Sequence, residues 1–93
     1  MIVSFRDKQT REFAAGKRGK AFAGFERTAE MKLDQLEAAI SLIDLDLPGN
    51  RPKALQGARQ GQYSIRINDP WRICFEWPQG SPGPVKVEIV DYH

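Results

Sequence analysis

The side chains best suited to chemistry in this sequence are one histidine and several basic residues in the C-terminal half. His93 is the single histidine, and it directly follows Asp91 and Tyr92. Imidazole titrates near neutral pH, so His93 is a candidate proton donor or acceptor. The basic residues that precede it are Lys53, Arg59, Arg66 and Arg72. Together these groups could move a proton and hold an anion.

An acid–base group beside several cations fits the cleavage of RNA by its own 2′-hydroxyl. That reaction needs a base for the 2′ proton, an acid for the departing 5′ oxygen, and cations for the charge on the pentavalent phosphate. It needs no metal ligand, and one histidine with one cysteine, Cys74, cannot build a zinc site within the chain. We therefore expect no metal and no other cofactor.

Each of these residues also has an ordinary structural explanation. A terminal histidine is usually just exposed, and a tyrosine beside it is more often a packing residue than a catalytic one. Arginines on strands are usually solvated or paired with carboxylates, for which Glu76 and Glu88 are candidates. Residue types and spacing alone do not choose between the two interpretations.

Length and composition predict a single domain over residues 1–93. The chain is 41% hydrophobic and 28% charged, which is typical of a globular protein. Six basic and two acidic residues fall in positions 1–20, two and six in 21–50, and six and four from 51 onward. This predicts basic surfaces on the N-terminal arm and the C-terminal half, with an acidic helical face between them. Basic surfaces attract phosphates, although an ordinary solvated surface of mixed charge would show the same distribution of charged residues.

Nothing in the sequence predicts a membrane or a secreted location. No apolar run approaches the ~18–20 residues of a membrane helix, and the first twenty residues are polar and basic. A single cysteine cannot form a disulfide within the chain. We therefore expect a cytoplasmic protein without a membrane partner.

Periodicity predicts two helices after a short opening strand, Met1–Phe5. Asp7 can cap a first helix over Lys8–Ala15. A second, long helix should run from about Phe22 to Asp44, because apolar residues recur there at spacings of three and four. The predicted inward positions are Phe22, Phe25, Ala29, Leu33, Leu36, Ile40, Ile43 and Leu47.

The period changes after Pro52 from helical to alternating, which predicts strands. The three expected strands are Gln62–Asn68, Trp71–Trp77 and Val85–His93, with an exposed loop over Pro78–Pro84. Strands joined by short connections form an antiparallel meander. We therefore predict an α+β fold, in which the N-terminal strand and two helices pack on one face of the sheet.

The C-terminal half resembles the HigB group of the RelE/ParE toxin superfamily. The matching stretches are Ala54–Gly57, Gly61–Asn68, Trp71–Phe75 and Val87–His93. The N-terminal half is similar in layout, with an opening strand, a short helix and a long amphipathic helix. The resemblance implies a RelE-like fold and a ribosome-dependent endoribonuclease that cuts mRNA at the decoding site.

The resemblance also implies roles for individual residues. His93 would be the main general acid or base, Tyr92 and Asp91 would orient it or contact the substrate, and Arg72 would stabilise the phosphate in the transition state. Lys53 stands where many members have a histidine, and a lysine holds phosphate better than it accepts a proton at neutral pH. Lys53 is therefore either a phosphate clamp or a catalytic group, and Arg59 and Arg66 are the other candidate phosphate-binding residues.

Family members work beside a small helix-turn-helix antitoxin, so the resemblance implies a HigA-type partner and contact with operator DNA only through it. The acidic stretch from Glu26 to Asp46 and the basic N-terminal arm are both candidate docking surfaces for that antitoxin. Two other functions fit the same fold. One is a ParE-like inhibitor of a topoisomerase such as gyrase, and the other is a non-catalytic module that binds RNA or protein.

Overall fold

A four-stranded antiparallel sheet forms the C-terminal half of the computed structural model, which describes residues 1–91. The strands are β1 (Lys53–Ala54), β2 (Gln62–Arg66), β3 (Trp71–Glu76) and β4 (Val85–Asp91), in that order across the sheet. The predicted meander is therefore confirmed. The last two positions of the predicted final strand, Tyr92 and His93, lie outside the described residues.

The sheet has a short strand that the alternating pattern did not predict. β1 has two residues, and they pair with β2 at Lys53–Ser64 and Ala54–Tyr63. Two residues are too few for an alternation to be recognised in the sequence. Its presence matters because it fixes Lys53 in the register of the sheet.

The opening segment lies along β4 rather than forming a full strand. Its pairing is one parallel bridge, Phe5–Val87, supported by backbone bonds that include Val3 N to Pro84 O at 2.8 Å. Gly83 permits this approach, since a Cβ there would lie 1.6 Å from the Met1 carbonyl oxygen. The predicted loop over Pro78–Pro84 is exposed along most of its length, but Gly83 and Pro84 are buried because the N-terminus covers them.

Two helices pack against the sheet, and the second is shorter than predicted. Helix α1 spans Lys8–Ala14, close to the prediction, although the Asp7 side chain makes no capping hydrogen bond. Helix α2 spans Glu26–Ala38 rather than Phe22–Asp44. Gly24 has φ +96°, a backbone conformation that does not occur within an α-helix, so α2 begins only after Gly24.

At the C-terminal end of the predicted helix, a separate turn replaces the α-helical conformation. The Asp44 carboxylate accepts hydrogen bonds from the backbone N–H groups of Ile40 and Ser41, at 2.9 and 3.2 Å. These contacts start a separate 3-10 helix, Leu42–Leu45, after Ala39 has turned extended. Ile40 and Ile43, predicted to point inward, are consequently exposed on the surface.

The core lies between α2 and one face of the sheet. Ile65, Ile73 and Ile89 stand opposite one another across β2, β3 and β4, and all three are buried. Leu33 and Leu36 of α2 belong to the same core. Two helices on an antiparallel sheet make the α+β fold that the sequence predicts, and they leave the other sheet face for polar residues.

Candidate functional site

The register of the strands brings three of the predicted basic residues to the polar face of the sheet. Lys53 stands opposite Ser64, and Arg66 stands opposite Arg72. Opposite residues in an antiparallel pair share a face, as do residues two apart on one strand. Lys53, Arg66 and Arg72 therefore lie on the face turned away from α2.

Arg72 is the most firmly fixed of these residues. Its Nε donates to Ser64 Oγ at 2.8 Å, and its Nη2 donates to the backbone carbonyl of Arg51 at 2.8 Å. The residue is only 9% exposed. Two separate bonds to a planar guanidinium determine its orientation, which is what a group that stabilises a transition state requires.

Further positive charge surrounds Arg72. Arg66 makes an ion pair with Asp69 through Nη2 at 2.6 Å, and Asp69 is almost fully exposed. Lys32 of α2 is buried, and burial lowers the pKa of its ammonium, with Arg66 and Arg72 lowering it further. Its Nζ donates to Gly49 O at 3.2 Å. We call Lys53, Arg66 and Arg72 of the sheet, together with Lys32 of α2, the cationic cluster.

The rest of the polar face carries an ion-pair network. Glu88 forms an ion pair with Arg6 at 2.7 Å and accepts a hydrogen bond from Arg59 at 3.4 Å. Glu76 accepts a hydrogen bond from Arg6 at 3.2 Å and forms an ion pair with Lys86 at 3.8 Å. Arg59, predicted with Lys53 and Arg66 as a phosphate-binding residue, thus belongs to this network. Arg59 lies in a short 3-10 helix before β2 rather than on a strand, and it is paired with Glu88. Of the strand arginines, Arg66 is paired with a carboxylate, that of Asp69.

Charge pairing also reduces the basic character predicted for the N-terminal arm. Arg6 contacts both glutamates of the sheet, Lys17 lies 3.5 Å from Glu12, and Arg18 lies 2.5 Å from Glu30. The Arg18 guanidinium also lies 4.1 Å from the centre of the Phe13 ring. These carboxylates therefore neutralise part of the positive charge of the arm.

Cys74 separates the cationic cluster from the ion-pair network. It stands opposite Ser64 on one side and Glu88 on the other, and it is fully buried. Burial raises the pKa of the Cys74 thiol. A buried thiol held in its protonated form is a poor nucleophile, so Cys74 acts here as a packing residue.

Asp91 and Tyr63 lie on the opposite face of the sheet from the arginines. Asp91, at the end of β4, stands opposite Trp71, whose ring packs on Phe25 with centroids 4.9 Å apart. The register thus assigns Asp91 to the helix-side face. Tyr63 also lies on that face, 6.1 Å from the Phe75 ring, so it is not part of the cationic cluster. Tyr92 and His93 lie outside the described residues, and their predicted roles stay predictions.

Lys32 is the member of the cluster that the sequence analysis does not identify, because a lysine in an amphipathic helix usually lies on the solvated face. A signal was nevertheless available in the spacing. Lys32 stands three residues after Ala29 and four before Leu36, which is the spacing of the buried stripe. A lysine at such a position has to place its ammonium against an acceptor, which here is the Gly49 carbonyl.

Over residues 1–91, no three His, Cys, Asp or Glu side chains come together as they would around a metal ion. Within the same residues, no helix is long and apolar enough to cross a bilayer.

The α+β fold, with helices on one sheet face and basic residues on the other, is consistent with the class of small RelE-like toxins. The family model of HigB-like toxins, described as RelE-like toxins of type II toxin–antitoxin systems, matches residues 3–93, and the chain belongs to this family. It is similar to Toxin HigB-1 of Vibrio cholerae, at 36% identity over 83 residues, covering 86% of this chain and 87% of that protein. A toxin of a type II system has an antitoxin as its partner.

Proposed function

We propose that this toxin is a ribosome-dependent endonuclease that cuts mRNA through attack of the RNA 2′-hydroxyl, without a metal ion. The observation that carries the proposal is the cationic cluster, in which Lys53, Arg66 and Arg72 share one sheet face. A phosphodiester that passes through a pentavalent state gains negative charge, and fixed cations stabilise that charge more in the transition state than in the ground state.

The proposed reaction divides its tasks between the strands and the C-terminal residues. A base removes the 2′ proton, the 2′ oxygen bonds to phosphorus, and the bond to the 5′ oxygen breaks as an acid protonates that oxygen. The products are a 2′,3′-cyclic phosphate and a 5′-hydroxyl. His93 is the proposed acid or base, with Tyr92 and Asp91 as groups that orient it or contact the RNA; Asp91 would do so from the end of β4, on the sheet face opposite Arg72.

The cations have distinct proposed parts. Arg72, fixed by Ser64 and Arg51, stabilises the phosphate in the transition state. Lys53 is exposed and holds a phosphate of the mRNA, as does Arg66 at the end of β2. Arg59 contributes more weakly to RNA binding, because its guanidinium is already engaged with Glu88.

The proposed partners follow from the same activity. The antitoxin is of the HigA type, with a helix-turn-helix, and it brings the toxin to operator DNA. The target is mRNA on the ribosome, which sets the proposed compartment as the cytoplasm. Family membership supports all three, because the matching family consists of type II toxins.

The experiment that tests this function maps 5′ ends on a defined mRNA, bound to purified ribosomes or free in solution. We expect cuts within decoding-site codons that require the ribosome. They should persist when toxin and RNA are pre-treated with EDTA and the ribosomes keep only their structural Mg²⁺. The His93→Ala variant should lose most of the cutting. Intact mRNA with a folded, growth-arresting toxin would contradict the proposal and favour a topoisomerase inhibitor.

A further inference from the structure

Three consecutive backbone carbonyls in the 49–51 segment each accept a hydrogen bond from a basic residue. Gly49 O accepts from Lys32 Nζ at 3.2 Å. Asn50 O accepts from the backbone N–H of Arg66 at 2.6 Å, and Arg51 O accepts from Arg72 Nη2 at 2.8 Å. The segment therefore links helix α2 to the two arginines of the cationic cluster.

Helix α2 holds this segment at a second point as well. The buried Asn50 donates through Nδ2 to Gln35 Oε1 at 2.9 Å and to Leu45 O at 3.0 Å. Arg51 has φ +43°, in the left-handed region that residues other than glycine rarely adopt. Such a conformation persists only where neighbouring contacts impose it. Lys32 and Gln35 of α2 supply two of those contacts.

Stability does not explain a lysine at position 32. Its side chain is 5% exposed, and burial together with Arg66 and Arg72 lowers the pKa of its ammonium, so the charged form is disfavoured there. An apolar side chain of similar volume would avoid both the desolvation and the repulsion. Gly49, whose carbonyl Lys32 contacts, is exposed, and water could satisfy that oxygen instead.

We propose that Lys32 is a positioning residue that holds the 49–51 segment, and through the Arg51 carbonyl fixes the guanidinium of Arg72 for catalysis. This inference rests on the proposed nuclease function. Lys32 is too deeply buried to contact RNA itself. Its effect is therefore expected on the rate of the chemical step rather than on the binding of the substrate.

The test replaces Lys32 with methionine, which has a similar length and no charge. We expect kcat for ribosome-bound mRNA to fall about tenfold or more, because small displacements of a catalytic group cost rate steeply. KM should stay within about twofold of wild type, since no contact to the substrate is lost. Tm should equal or exceed that of wild type. A merely structural lysine would instead lower Tm and leave kcat unchanged.

Two further variants sharpen the comparison. Lys32→Arg keeps a charged donor and should retain most of the wild-type kcat, whereas the shorter neutral side chain of Lys32→Gln should behave like methionine. Lys8→Met removes an exposed lysine of α1 and should leave kcat, KM and Tm unchanged. A rise in KM at constant kcat in Lys32→Met would overturn the proposal, as would unfolding of that variant.

An NMR measurement separates this inference from the nuclease proposal. Hydrogen exchange of the Arg66 amide and of the Arg72 guanidinium reports the 49–51 segment directly, whether or not the protein cuts RNA. We expect both to exchange about tenfold faster or more in Lys32→Met than in wild type, as for groups whose hydrogen bonds open more often. Unchanged exchange would overturn the positioning role, and faster exchange in a toxin that cuts nothing would refute only the nuclease.

Discussion

Replacing Arg72 with alanine is expected to lower the rate of mRNA cleavage on the ribosome by about 10²–10³-fold, the usual cost of removing one fixed donor from a transition state. The guanidinium is held by Ser64 Oγ and the Arg51 carbonyl, so its position is set before the substrate arrives. Single-turnover cleavage of a defined mRNA, with saturating ribosomes, measures the loss directly.

The lysine variant distinguishes charge from geometry at the same position. Arg72→Lys keeps a positive charge but loses the planar fork, so it should recover at most about tenfold of the lost rate. Arg11→Ala removes an exposed arginine from α1 and serves as the matched control, with the wild-type rate expected. Because Arg72 also donates a hydrogen bond to Ser64, its substitution affects stability, and the Tm of each variant has to be measured. A folded Arg72→Ala protein that cuts at the wild-type rate would refute the assigned role.

A second large effect is expected on stability, from the substitution of one of two isoleucines. The hydrophobic pattern of the sequence predicts that both point into the core. Ile73 is fully buried between Ile65 and Ile89, and Ile73→Ala should cost about 2–5 kcal/mol of the free energy of unfolding. For a domain of this size that lowers Tm by about 10 °C or more. Chemical denaturation monitored by tryptophan fluorescence measures the change.

Ile40 is the matched control for this prediction. It is 83% exposed, so Ile40→Ala should change the free energy of unfolding by less than about 0.5 kcal/mol. The amphipathic pattern alone would give the two substitutions similar costs. Equal losses of stability would show that α2 extends further than Ala38 and would contradict the fold described above.

The fold was predictable where many residues repeat one period. Apolar residues alternate with polar or small ones along both central strands, and this alternation identified them, although Ser64, Arg72 and Cys74 on the other face are buried as well. The helical period over-predicted α2, since the apolar spacing continues through Ile40 and Ile43 although the backbone does not. There, two hydrogen bonds to Asp44 outweigh the pattern, and such local competition is hard to weigh from sequence.

The candidate site was only partly predictable. Arg66 and Arg72 could be assigned to the polar face once their strands were recognised, because alternation fixes side-chain direction. Lys53 could not, since β1 is too short to show an alternation. Lys32 and the 49–51 segment could not, since they join the site through contacts between distant parts of the chain. The ion pair that occupies Arg59 depends on Glu88, 29 residues away, which the strand pattern does not show.

The central claim is that the RNA supplies its own nucleophile, and one substitution in the substrate tests it. A defined mRNA is placed on ribosomes with either a ribose or a single 2′-deoxyribose at the mapped cleavage position, and wild-type toxin is added. We predict that the ribose substrate is cut to a 2′,3′-cyclic phosphate and a 5′-hydroxyl, and that the deoxy substrate stays intact at that position. Equal cutting of both substrates would mean that water or another nucleophile attacks, and would contradict the mechanism.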